Sequence, residues 1–184
     1  MSSVQQEISQ ASPSPYNSLA TTCRSSVITS CGAMSAAISN PPDSRIKQLL
    51  QSASTIAIVG WSDKEDRPSH ETANYLRKQG YRIVPVNPRL AGKTFDGELV
   101  YGCVTDIPER VDLVDVFRRA EYTPHHAEKA VAAGAGAFWL QIGVRNDDAG
   151  RIAQEGGLLF VQNRCTHIEH LRLIKGYPFP PPAD

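Results

Sequence analysis

The stretch Thr55-Ile-Ala-Ile-Val-Gly60, then Trp61-Ser62-Asp63, a short basic loop and a helical pattern from Ser69, most constrains what this chain can fold into. An unbroken aliphatic run of strand length is a strand buried on both faces, as in a parallel sheet covered by helices. The glycine at its end lets backbone approach a ligand. A helix start just beyond aims free N–H groups and a partial positive charge at the same place. An α/β protein opens a phosphate-binding site in this way. The dinucleotide fingerprint, however, sets three glycines as G-x-G-x-x-G after such a strand, and here Gly60 stands alone. The pattern predicts a nucleotide-type site that departs from the NAD arrangement.

From Thr55 onward the chain alternates strand and helix. Strands are predicted at Thr55–Val59, Arg82–Val86, Val111–Phe117, Ala137–Gln141 and Leu158–Gln162, and helices at Ser69–Lys78, Pro124–Ala133 and Asp147–Glu155. A small hairpin or short strand is expected between Asn87-Pro88 and Tyr101, and a short helical turn at Asp106-Ile-Pro-Glu109. Before the first strand, Ser44 is positioned to cap a short amphipathic helix, Arg45–Gln51, with Ile46, Leu49 and Leu50 at helical spacing. Strands joined by helices of ~10 residues make a doubly wound parallel sheet, here of about five strands and Rossmann-like.

The first segment differs in kind. Residues 1–43 are rich in Ser, Thr, Ala and Gln, with Glu7 and Arg24 the only charges before Asp43. Such a segment cannot bury enough apolar surface to offset chain entropy. It is expected to be a disordered tail, or else a cleavable organelle-targeting peptide, which its acid-poor composition suits and its single arginine does not. Residues 44–184 then form one domain. The expected location is cytoplasmic, or mitochondrial or another organelle if the tail is a transit peptide. A formal net charge of zero and sparse aromatics argue against nucleic acid, and no apolar run reaches the ~18–20 residues of a membrane span. The four cysteines, Cys23, Cys31, Cys103 and Cys165, form no C-x-x-C pair, which fits a reducing compartment.

In a doubly wound sheet, ligands bind beyond the carboxyl ends of the strands, so the residues there define the candidate site. Strand one is followed by Gly60, Trp61, Ser62, Lys64, Arg67, Ser69 and His70, and strand two by Asn87, Pro88, Arg89 and then Gly92-Lys93-Thr94. Strand three leads to Arg118 and Arg119, strand four to Gln141, Gly143 and Arg145, and strand five to Asn163-Arg164-Cys165-Thr166-His167. Cations follow every strand although the chain is neutral overall, and Arg and Lys at such positions recognise phosphate. NAD sites place a carboxylate near the end of the second strand to hold the ribose diol. Here none occurs before Asp96. A ribose bearing its own phosphate suits that sequence better, as in NADP or coenzyme A (CoA).

These residues carry a family resemblance. From about Ser54 to Leu173 the chain resembles the small CoA-binding proteins, single Rossmann domains like the CoA-binding domain of succinyl-CoA synthetase α chains. The carriers are Ile58-Val-Gly60-Trp-Ser62, Arg67-Pro-Ser69, Val84-Pro-Val-Asn87-Pro88, Gly92-Lys93-Thr94, Val114-Asp-Val-Phe117-Arg118-Arg119, Trp139-Leu-Gln141-Ile-Gly143 and Arg164-Cys165 through Ile168-Glu169-His170. The resemblance implies CoA or acyl-CoA across the strand-end crevice. Gly60, Ser62 and Ser69 would lie near the pyrophosphate, with Lys64 or Arg67 neutralising it. Lys93 would lie near the adenosine and its 3′-phosphate, and Phe117 and Arg118 would border the nucleotide or the pantetheine arm. Ligase activity is not implied, because the chain shows no nucleotide-grasping domain.

The reading is therefore a binding or regulatory protein, with no catalytic and no metal-ligating residue assigned. The competing class is an enzyme, either an NADP-dependent oxidoreductase or an acyl-CoA-processing activity using Cys165 or His167. Arg164 and His167 are placed to lower the Cys165 thiol pKa, and Cys165-x-His167-x-x-His170 offers three metal-type ligands. Asp112 and Asp115 are read as structural hydrogen-bonding groups, and His125-His126 as surface or capping residues at a helix start. Trp61 is left between covering a ligand base and packing on the first helix. A homo-oligomer or a protein partner is left open.

Overall fold

The computed structural model describes residues 38–179. The predicted tail falls, but for its last few residues, outside the described residues. The elements run α1 Asp43–Ser52, β1 Thr55–Val59, α2 Pro68–Lys78, β2 Arg82–Val86, β3 Thr94–Phe95, β4 Glu98–Leu99, β5 Leu113–Val116, α3 Thr123–Ala132, β6 Ala137–Leu140, α4 Asp147–Glu155, β7 Leu159–Val161 and α5 Thr166–Leu173. Five strands pair in the order β2-β1-β5-β6-β7, all parallel. The α/β, doubly wound, Rossmann-like class is as the alternation predicts.

Alternate residues of each strand enter opposite cores. Ala57, Val59, Val114, Val116, Phe138 and Leu140 join Ala127 and Ala130 of α3 and Ala149 and Ala153 of α4. Ile56, Ile58, Leu113 and Trp139 join Ile46 and Leu50 of α1 and Ala73 and Leu76 of α2. Burying both faces explains the continuous aliphatics of β1, since neither side of the pleat meets water. The chain leaves β1 for α2 on one face and leaves β5 for α3 on the other. β1 and β5 are neighbours in register, with Val59 opposite Val116. Their carboxyl ends therefore diverge at the switch in strand order, where such sheets hold ligands.

Several boundaries move for local reasons. The α1 N-cap is Pro42 and Ser44 lies inside the helix, so the predicted Ser44 cap is corrected; proline suits a helix start because its missing N–H would go unpaired there. The helical turn predicted at Asp106–Glu109 forms earlier, as a 3₁₀ turn at Val104–Asp106. Pro108 pushes Ile107 to an extended conformation, ψ 120°, which ends it. The strand predicted from Val111 begins at Leu113, because the Asp112 carboxylate accepts from Ser54 and Thr55 N–H at 2.8 and 3.0 Å. The candidate-site segment after the last strand leads into helix α5, which begins at Thr166. β3 and β4 form the expected hairpin, turned by Asp96 and Gly97 at φ 49° and 87°.

Candidate functional site

The crevice begins with the meeting of Gly60 and Phe117. Gly60 adopts φ +83°, and a Cβ there would lie 2.6 Å from the Phe117 carbonyl oxygen and 2.8 Å from Cδ of Arg118. Gly60 N–H donates to Val86 O at 2.9 Å and Phe117 N–H to Val59 O at 2.8 Å, so both loops leave the sheet pinned together. Only glycine satisfies both the left-handed backbone and this approach.

Beyond this point lies a cavity of about 1150 Å³. Gly60, Ser62, Lys64, Arg67 and Ser69 line it from the β1–α2 side, and Phe117, Arg118 and Arg119 from the end of β5. Gln141 and Gly143 close it beyond β6, and Cys165 closes it at the start of α5. The parallel sheet thus brings together side chains more than a hundred residues apart. Ser69 is buried in the first turn of α2, behind Pro68 at N1. Among the described residues, Lys64, Arg67, Arg89 and Arg118 have no carboxylate within 4 Å, whereas Arg77, Arg82, Arg164 and Arg172 are paired. Those first four cations line the crevice without a carboxylate partner among the described residues, whereas Arg119 beside them pairs with Glu121 at 3.9 Å.

Four predicted residues stand outside this lining. Trp61 is 2% exposed and packs on Phe95 and His70, with ring centroids 4.8 and 5.8 Å away. It braces the hairpin against α2, which decides between the two readings left open for it. Asn87 spends its amide on the loops, donating to Trp61 O at 2.7 Å and accepting from Arg89 N–H at 3.0 Å. Lys93 pairs with Asp63 at 3.3 Å. Pro88 lines a neighbouring pocket of about 240 Å³ that shares Gly60 and Arg118 with the crevice.

Beneath Cys165, Asp115 is fully buried at the end of β5. Gln141 Nε2 donates to its two carboxylate oxygens at 2.8 and 2.9 Å, and Thr166 Oγ1 to one of them at 2.8 Å. Burial pushes the Asp115 carboxyl up to about 7, outweighing those hydrogen bonds. The group ties β5, β6 and α5 together under the crevice floor, as the structural reading of the aspartates anticipated.

Activation of Cys165 by its neighbours is corrected. Burial pushes the thiol above its ordinary value. Arg164 is turned away and pairs with Asp43 at 3.0 Å and Glu169 at 3.6 Å. Burial lowers the pKa of His167, which stacks on Tyr75 with ring centroids 3.6 Å apart. His170 is buried and shares a hydrogen bond of 3.0 Å with the Tyr75 hydroxyl. The imidazoles serve the α2–α5 contact, and the cationic help foreseen for the thiol goes to the buried Glu169. Among the described residues, no cluster of three or more His, Cys, Asp or Glu could hold a metal ion.

Sequence reasoning missed His126 and Lys129 as pocket residues. Both line the smaller pocket from α3, beside His125, Cys103 and Arg118. His126 is half-buried rather than a surface residue. Burial, with the charges of Arg118 and His125, pushes its pKa down to about 4. The signal available in the sequence was the i, i+3 spacing of His126 and Lys129 on one helix face.

The family model described as the CoA binding domain matches residues 54–171. The Bacillus subtilis (strain 168) protein YneT is 37% identical over 134 residues, 71% of this chain and 96% of that protein. The structure of cell-free ID.343 from Thermus thermophilus is similar at 38% identity and a TM-score of 0.69, covering 72% of this chain and 99% of that one. A Pyrococcus horikoshii OT3 protein is similar at 36% identity and a TM-score of 0.69, covering 73% and 93%.

Proposed function

The chain belongs to the CoA-binding domain family, and on that premise we propose that it holds CoA or an acyl-CoA along the strand-end crevice as a binding or regulatory protein. The observation that carries this reading is the close approach of Gly60 to Phe117 at the switch point, flanked by Lys64, Arg67 and Arg118, which lack carboxylate partners among the described residues. Backbone there can lie against a pyrophosphate, and Lys64, Arg67 and Arg118 supply charge-assisted contacts. The remaining length, past Phe117 to Gln141, Gly143 and Cys165, suits an extended pantetheine arm. A role in binding fits the state of Cys165 and His167. A thiol pushed up by burial and a stacked, neutral imidazole are poor nucleophile and acid.

The competing ligand is NADP, because the end of β2 offers no carboxylate to a ribose diol and Asn87 is engaged by the loops. Thermal-shift titration with CoA, acetyl-CoA, NAD and NADP separates the two. A ligand at ~100-fold its Kd adds roughly 2.7 kcal/mol to stability. A shift with CoA or acetyl-CoA and none with NAD is expected. A shift with NADP alone would overturn the reading.

A further inference from the structure

The residues that lead into α1 grip the loop that closes the crevice. Gln162 follows β7, an edge strand of the sheet, and is 2% exposed. The Asn40 amide engages both of its main-chain groups. Asn40 Nδ2 donates to Gln162 O at 3.0 Å, and Gln162 N–H donates to Asn40 Oδ1 at 2.8 Å. A side-chain amide thus stands where a further strand would pair. The Gln162 side chain adds a second tie, donating to Ile38 O at 2.9 Å and accepting from Asn146 N–H at 3.0 Å. Two residues on, Arg164 donates to one Asp43 oxygen at 3.0 Å, and Arg172 of α5 donates to the other at 2.5 Å. Both arginines also face the fully buried Glu169. Without Asp43 two arginines would share one carboxylate, leaving excess positive charge in a buried cluster at the start of α5.

None of residues 38–43 lines the crevice. The loop they hold, residues 162–164, is nonetheless continuous with its far wall. Asn163, at φ +55°, accepts from Gly143 N–H at 2.8 Å, and Cys165 follows Arg164 directly. Gly143 and Cys165 both line the crevice. The near wall at Gly60 and Phe117 is pinned instead by main-chain bonds to Val86 and Val59.

We infer that residues 38–43 are a strap that positions the Cys165 end of the crevice, with Asn40 and Asp43 acting through Gln162 and Arg164. The inference rests on the CoA reading for which part of the ligand lies there: the nucleotide at Gly60 and the pantetheine arm toward Cys165. The strap then sets affinity for the arm and leaves the nucleotide half alone.

The test compares the full chain with Asn40→Ala/Asp43→Asn by titration calorimetry. The probes are CoA and adenosine 3′,5′-bisphosphate, which carries a phosphorylated adenosine and no arm. CoA affinity is expected to fall about ten-fold in the double variant, the scale of two hydrogen bonds of ordinary net worth. Affinity for the bisphosphate should stay within about two-fold. Alkylation of Cys165 by iodoacetamide, resolved by peptide mass, should run several-fold faster while Cys103 keeps its rate, as local opening of that wall requires. A double variant with a lower Tm but unchanged CoA affinity and Cys165 reactivity has lost only a structural tie, which would overturn the inference. Equal weakening of the two ligands would overturn it as well, since the whole crevice would then have loosened. If the parent chain binds neither ligand, the CoA reading fails and alkylation alone decides the strap. Selective acceleration at Cys165 then upholds it, and an unchanged rate, or equal acceleration at Cys103, overturns it. Should the double variant not fold, Asn40→Ala is judged by the same measurements.

Discussion

Replacing Gly60 by alanine tests the apposition on which the crevice depends. Two costs arise at once. The residue sits at φ +83°, and holding an L-residue in left-handed backbone costs ~1–2 kcal/mol. The new Cβ would also lie 2.6 Å from the Phe117 carbonyl oxygen, a backbone atom that cannot rotate away. Forcing β1 and β5 apart there resembles overpacking, at ~1–3 kcal/mol. The expected loss is ~2–5 kcal/mol, a large share of the ~5–15 kcal/mol that stabilises a domain. Gly80→Ala is the matched control, because Gly80 has φ +98° with nothing within 4 Å of an added Cβ. It should cost the backbone part alone. Urea unfolding of both variants, with m-values compared, reads the difference, and CoA titration of folded Gly60→Ala should show affinity down by an order of magnitude or more. Equal destabilisation of the two variants would refute the argument, since the Phe117 contact would then carry no energy. Unchanged CoA affinity in Gly60→Ala would refute its placement at the ligand.

Three further outcomes follow from other parts of the site. Asp115 holds a proton up to about pH 7 when folded, against 3.8 as its ordinary value, so native stability should fall as pH rises from about 4 to about 7, by up to ~4 kcal/mol. Urea midpoints at pH 5 to 8 should show that decline reduced in Asp115→Asn relative to the parent, and parallel profiles would sink the idea. Arg118→Met should weaken CoA about ten-fold and flatten the dependence of affinity on salt, because Arg118 faces both cavities without a carboxylate partner among the described residues; calorimetry at two salt concentrations checks this. Trp61→Phe should leave CoA affinity within about two-fold, since the ring is turned onto Phe95 and His70. A larger loss would return Trp61 to the ligand site.

The sequence by itself determined the class of fold and the rim of the crevice. Buried parallel strands announce themselves as aliphatic runs, and helices by their spacing and caps. Both are local properties of a segment. Once the sheet is parallel, all its strands end on one edge, so Lys64, Arg67, Arg118, Gln141 and Cys165 could be placed at one opening without coordinates. Tertiary structure alone decided how side chains there are spent. Asn87, Trp61 and Lys93 lie at strand ends like the others, yet a carbonyl, two rings and Asp63 claim them. Arg164 neighbours Cys165 in sequence and serves the buried Glu169 instead. His126 and Lys129 reach the pocket beside Gly60 only because the chain leaves β5 on the opposite face from α2, which sets α3 behind Gly60. Strand order arises from contacts between distant segments. No local pattern encodes which side of β1 the fifth strand will take, and that choice builds the second pocket.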